Sequence, residues 1–164
     1  MPDAFALART FLLTHARLLE RALFQVRFEG RPPEVVCAAV RAYRNPDGGL
    51  GHALEPDLRC PESQPLASEI GLTALWQAGG RDPELALSLC GYLESVCDGD
   101  GLVAPFTESA RRSPHASHWS GAVAPGLNPT SGLCGLLHYQ GIDHPWLSRA
   151  TRTCCERVLS GAPR

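Results

Sequence analysis

The sequence contains no lysine: all fifteen of its basic residues are arginine. That bias is read as the codon usage of a GC-rich bacterial genome and carries no functional content. Isoleucine occurs only at Ile70 and Ile142, and long alternating apolar–polar runs are missing, which argues against a β-rich fold. No stretch approaches the roughly 18 uninterrupted apolar residues of a membrane span. A secretory leader is not expected, because Arg9, His15, Arg17 and Glu20 interrupt each candidate apolar core. The formal charge of −2, without a run of like charges, excludes the broad basic field of a nucleic-acid binder. The chain also lacks a P-loop, a dinucleotide fingerprint, a serine nucleophile elbow, Cys-x-x-Cys and His-Glu-x-x-His.

What is present is leucine and alanine at helical spacing. With 164 residues, 44% of them apolar, one domain spanning residues 1–164 with its own core is expected. The seven cysteines are odd in number, and most fall on apolar helix positions, where a free thiol packs as a small hydrophobe. This pattern fits a reduced cytoplasm without a disulfide framework.

Phe5, Ala8, Leu12, Ala16, Leu19, Leu23 and Val26 form one stripe and predict a single helix from about Asp3 to Phe28, closed by Gly30. Pro32-Pro33 opens a shorter helix that Asn45-Pro46 stops. Further helices are expected over about Ala67–Gln77, Pro83–Val96, Pro129–Gln140 and Pro145–Leu159, separated by loops rich in glycine and proline. Asp82 and His144 stand where helix N-caps precede a first-turn proline.

Overlaying these segments reveals an internal repeat. At one constant offset Leu75, Gly79, Pro83, Leu85 and Val96 meet Leu137, Gly141, Pro145, Leu147 and Val158, identical in every pair. A fainter copy begins at Pro33-Glu34-Val35. The unit is a helix, a glycine stop, a proline start and a second helix, so three helix pairs are expected. Trp76, Tyr139 and Trp146 are expected to pack the turns of the pairs, and Cys154 and Cys155 to lie in the core.

The run Asn45-Pro46-Asp47-Gly48-Gly49-Leu50-Gly51, followed by a helix from Ser68 through Leu75, resembles the repeat of the α/α-toroid superfamily. That superfamily includes protein prenyltransferase β subunits, squalene–hopene-type terpene cyclases and bacterial proteins of unassigned role. Leu50 stands where the repeat usually has an aromatic residue, and Arg44 near a common glutamine. The resemblance implies an all-α fold of helix-pair repeats. Because a closed toroid uses about six pairs, it further implies about half a toroid, so that either self-association or a partner chain completes the ring, or the chain is a shortened version of a longer family member. The cyclases' Asp-x-Asp-Asp acid has no match: Asp98-Gly99-Asp100-Gly101 lacks the third acid. The zinc ligands of the prenyltransferases have no matching motif either.

Independently of that likeness, polar residues gather before and within the Ser68–Leu75 segment. Glu69, His52 and Asp57 are the candidate acid–base groups, since an imidazole among carboxylates suits proton transfer near neutral pH. Glu69 precedes the apolar Ile70-Gly71-Leu72 and is expected to project into a cavity between helices. Glu55, Arg59, Gln64, His118, Trp119 and Asn128 are candidate ligand-binding residues, and Glu55, Asp57 and Arg59 equally suit a salt-linked brace. His115 with His118, and Cys134 with His138, have pairwise metal-ligand spacing, but a metal needs three or four ligands, so neither metal nor cofactor is expected. Two function classes follow. The first is a helical-repeat binding module with an apolar groove for a lipophilic small molecule or a protein partner. The alternative is an isoprenoid-processing enzyme related to terpene cyclases or prenyltransferases.

Overall fold

Three glycines in the left-handed conformation, Gly30 (φ 66°), Gly79 (φ 71°) and Gly141 (φ 73°), each stand between the two helices of one helix pair in a computed structural model that describes residues 3–161. The helices are α1 (Ala4–His15), α2 (Leu18–Phe28), α3 (Glu34–Arg41), α4 (Pro65–Ala78), α5 (Pro83–Val96), α6 (Leu127–Gln140) and α7 (Pro145–Leu159). The pairs are α2/α3, α4/α5 and α6/α7. Among the described residues the regular structure is helical, apart from isolated bridges such as Arg44–Leu50.

The signals that begin the second helix of each pair are local. Pro83 and Pro145 occupy the first turns of α5 and α7, where a missing N–H leaves no bond unmade. The Asp82 carboxylate accepts the Leu85 N–H at 3.1 Å, and His144 Nδ1 accepts the Trp146 N–H at 3.2 Å. Asp82 also ties the repeats together. Arg41 on α3 donates two bonds to it, at 2.6 and 2.7 Å, and its own N–H donates to the buried Gln140 Oε1 at 2.7 Å.

α4 is the centre of the array, packed against α2, α3, α5 and α6. α6 pairs with α7, and α7 also packs on α5. The core is leucine-rich, with Leu72, Leu75, Leu85, Leu89, Leu93, Leu133 and Leu137 fully buried around Trp146. Each such leucine contributes roughly 2 kcal/mol of transfer free energy. A satellite cluster of Leu58, Cys60, Phe106 and Ala110 lies under the long loop between α5 and α6. That loop contains two short 3₁₀ segments, Glu108–Arg112 and Ser117–Ser120.

Three expectations need correction. The single helix Asp3–Phe28 is two, because Ala16 and Arg17 are extended (ψ 158° and 167°). Arg17 turns outward to donate to the carbonyls of Ala53 and Leu54 at 3.1 and 3.0 Å, and to pair with Glu20. Arg21 bonds the freed carbonyls of Ala16 and Thr14 at 2.7 and 3.2 Å. The break lets α2 bury Leu19, Ala22 and Phe24, while α1 buries no residue. Trp76 is 54% exposed and does not pack a turn, although Trp146 is buried and Tyr139 lies under the Arg81 guanidinium, 5.0 Å from its ring centre. Finally, Cys154 is buried but Cys155 is exposed, unlike its counterpart in the repeat, Leu93 of α5, which is fully buried.

Candidate functional site

The glycine loop is a steric joint. Gly48 has φ 90°, and a Cβ there would lie 2.6 Å from Ser88 Oγ. A Cβ on Gly49 would meet Ser63 Cβ at 2.6 Å and Tyr92 Cγ at 2.7 Å. The Asp47 carboxylate accepts the Gly49 N–H at 3.0 Å and the Ser63 hydroxyl at 2.7 Å, so it closes its own turn onto the segment leading into α4. Beneath, Tyr92 OH donates to Ser63 O at 2.7 Å, and burial drives its pKa upward. A shallow depression of about 480 Å³ over this joint is lined by Asn45, Asp47, His52, Glu62 and Ser63. His52 is exposed there, on left-handed backbone (φ 54°).

Gln64 is spent internally. It is 1% exposed, donates to Ser109 Oγ at 3.0 Å and to Cys60 Sγ at 3.2 Å, and accepts the Thr107 N–H at 2.8 Å. It straps the α5–α6 loop to the start of α4 and has no group left for a ligand, which corrects its candidacy. Glu55 accepts the Asp57 N–H at 3.1 Å, a local turn, and no ion pair joins Glu55, Asp57 and Arg59 among the described residues. Asp57 and Arg59 instead line a depression of about 260 Å³ with His115.

The aromatic loop candidates split in the same way. Trp119 packs edge-on against Phe106, ring centres 5.6 Å apart, in the satellite cluster, whereas His118 is exposed. Asn128 is a non-helical residue within α6, preceding Pro129 through a cis bond. Pairwise spacings do not grow into a metal site: among the described residues no three His, Cys, Asp or Glu side chains form a group able to hold an ion. His115 is taken by Ser113 O at 2.7 Å, and His138 by the Thr151 hydroxyl at 2.9 Å.

Glu69 differs from all of these. It lines a depression of about 330 Å³ between α2 and α4, whose walls are the apolar Leu19, Leu23, Ile70 and Ala74 and the polar Glu20, Thr73 and Gln77. Its carboxylate is half-buried and makes no hydrogen bond or ion pair among the described residues. Loss of solvation raises its pKa, with no opposing charge to lower it. On the other side the carboxylate presses on Gly132 of α6, and a Cβ at Gly132 would overlap Glu69 Oε1.

Glu69, His52 and Asp57 therefore line three different depressions that share no wall residue. No family model, curated protein or solved structure matches this chain. The site is judged on its own chemistry, which singles out Glu69. Sequence reasoning missed Gly132 and the α2 wall. The only local signal for Gly132 was a glycine inside a helical pattern, which points to a close approach without naming the partner.

Gly132→Ala is expected to swing the flexible Glu69 side chain aside rather than unfold the protein. The gain in helix propensity, about 1 kcal/mol, offsets the displacement. Urea titration should therefore find stability within about 1 kcal/mol of the parent. A crystal structure of the variant should show Glu69 in a new rotamer.

Proposed function

We propose that the protein is a helical-repeat binding module, part of an α/α toroid in the cytoplasm, and that its α2/α4 groove receives an apolar small molecule bearing a protonated amine. The observation that carries this reading is the half-buried Glu69 carboxylate, unpaired in a groove that Leu19, Leu23, Ile70 and Ala74 line together with Thr73, Gln77 and Glu20, the last of these paired with Arg17. Ligand sites combine such apolar walls with a few polar groups that fix orientation, and about 330 Å³ falls at the small end of their range. An ammonium docked on Glu69 regains the Coulomb energy and hydrogen bond that burial withholds, while its alkyl chain covers Leu19 and Leu23. An isoprenoid-processing role is less well supported, since no aromatic side chain lines this groove to stabilise a carbocation.

The sign of the pH dependence follows from the raised pKa of Glu69. The folded protein holds this proton more tightly than the unfolded chain, so Glu69 favours folding below the ordinary carboxylate range. That contribution is lost as pH rises through the elevated value. Glu69→Gln should accordingly raise the unfolding midpoint at pH 7, with the advantage disappearing below pH ~4.

Binding is tested by calorimetric titration of the protein with octylamine, octanol and octanoate. The amine should bind at least about tenfold tighter than the alcohol, with octanoate weakest, and the preference should grow as pH rises through the Glu69 titration. Glu69→Gln should erase the difference between amine and alcohol. Equal affinities for all three probes, or no binding at millimolar concentration, would sink the proposal.

A further inference from the structure

We propose that Cys155 and Cys134 form a reversible disulfide across the α6/α7 pair when the protein meets a hydroperoxide, Cys155 reacting first and Cys134 resolving it. Four of the seven cysteines stand on neighbouring helices: Cys90 on α5, Cys134 on α6, and Cys154 and Cys155 on α7.

The register of the helix pair brings the thiols together. The His138 ring and the Thr151 hydroxyl bond across the antiparallel pair at 2.9 Å. One helical turn further from each, four residues back along α6 and four forward along α7, stand Cys134 and Cys155. Both line the cavity of about 420 Å³ between the helices, together with Gly135, Cys154 and Val158. A Cβ on Gly135 would meet nothing within 4 Å, so this wall leaves room for a small oxidant and for rotation of the thiols.

Accessibility separates the three thiols of that cavity. Cys155 is exposed, whereas Cys134 and Cys154 are 4% and 6% exposed. Burial raises the Cys134 thiol above its ordinary value, a rise that the neighbouring Thr151 hydroxyl opposes, and pushes Cys154 up to about 11. The buried pair stays protonated and shielded while Cys155 meets solvent. Cys154 and Cys155 project about 100° apart on α7, so they cannot bridge each other without unwinding it. Cys134, in contact with Cys154 and within Coulombic reach of Cys155, is the thiol placed to resolve an oxidised Cys155. The half-exposed thiols elsewhere, Cys37 and Cys97, donate to the carbonyls of Arg81 and Glu94 at 3.9 and 3.3 Å.

The step balances with hydrogen peroxide as the oxidant. The Cys155 thiolate attacks one peroxide oxygen, the O–O bond breaks, and the departing hydroxide takes up a proton to leave as water. The Cys134 sulfur then attacks the Cys155 sulfenic acid. An S–S bond forms, the S–O bond breaks, and the Cys134 proton leaves with the hydroxyl as a second water. The two thiols lose two electrons, and one peroxide becomes two waters. A small dithiol reverses the bond by exchange, as for the transient disulfides of reducing compartments.

Hydrogen peroxide titration of the reduced full chain, read by intact mass and by thiol counting after denaturation, tests this. A monomer lighter by about 2 Da is expected, with two of its seven thiols gone and both restored by dithiothreitol. Tryptic mapping of the oxidised parent, which depends on no variant folding, should join residues 113–149 to residues 153–157. Cys155→Ser, at an exposed position, should slow the loss at least about tenfold, while Cys97→Ser leaves it unchanged. Cys134→Ala, with its helical circular dichroism checked, should stop at a Cys155 sulfenic acid that dimedone traps. The proposal is overturned by a disulfide-linked dimer, by a cross-link between other peptides, by a Cys155→Ser variant that oxidises as fast as the parent, or by oxidation that adds oxygen without forming any disulfide.

Discussion

Gly51→Ala is expected to destabilise the protein by about 3 kcal/mol, a large share of the roughly 5–15 kcal/mol that holds a domain of this size together. A Cβ at position 51 would overlap the carbonyl oxygen of Pro61 and stand 2.5 Å from that of Glu62 and 2.7 Å from Asn45 Nδ2. Two of these neighbours are backbone, so no side-chain rotation relieves the contact. The Gly51 N–H also donates to Tyr43 O at 3.0 Å, and Asn45 Nδ2 donates to Pro61 O at 3.0 Å, so the segment cannot back away without breaking bonds. Gly30→Ala is the control. Its φ of 66° disfavours a side chain, but nothing lies within 4 Å of the added Cβ, so only about 1–2 kcal/mol is expected. Urea denaturation of both variants should show a midpoint shift at least about 1.5 times larger for Gly51→Ala, with unchanged slope. Equal shifts would mean that the loop tolerates the overlap and is not a rigid joint.

The contrast between these glycines shows what a sequence can disclose. Gly79 and Gly141, with Pro83 and Pro145 just beyond them, mark helix ends by local stereochemistry, and the helix pairs were legible from them. The break at Ala16 and Arg17 was not, because its cause is tertiary: Arg17 reaches carbonyls at Ala53 and Leu54. Nothing in the local pattern marks it, and the stripe from Phe5 to Val26 continues across it. The same division runs through the candidate site. Glu69 stood out as an acid ahead of an apolar run, and it lies in an apolar groove. Gln64 looked equally polar, yet its partners Thr107 and Ser109 come from a loop beyond α5, and only the fold reveals that its bonds are already made. His52 and Asp57 are near Glu69 in sequence, but a winding loop carries each to a different face.

Trp146→Ala should cost about 4 kcal/mol and lower the thermal midpoint by roughly 8–16 °C. Trp146 is fully buried in the first turn of α7, and its indole N–H donates to Gly101 O at 3.0 Å. The loop it grips is already ordered: the Asp98 carboxylate accepts the N–H groups of Asp100 and Leu102 at 3.0 and 2.9 Å, and the Thr153 hydroxyl reaches Asp100 O at 2.8 Å. The internal repeat explains why the tryptophan stands there. The corresponding residue of α5 is Glu84, an exposed side chain paired with Arg41 of the preceding helix pair. The first pair is fastened to the second by the ion pairs of Arg41 with Asp82 and Glu84, whereas α7 adds to its own ion pairs, Arg149–Glu94 and Arg157–Asp100, an aromatic residue gripping the loop behind it. Trp146→Phe separates the two contributions, since it keeps most of the buried area and loses the hydrogen bond, at an expected cost of about 1–2 kcal/mol. Hydrogen exchange should then localise the damage in Trp146→Ala to α7 and residues 98–102, leaving α3 and α4 protected. A loss below about 1 kcal/mol, or deprotection spread evenly over all the helices, would mean that the last pair is held by its leucines alone.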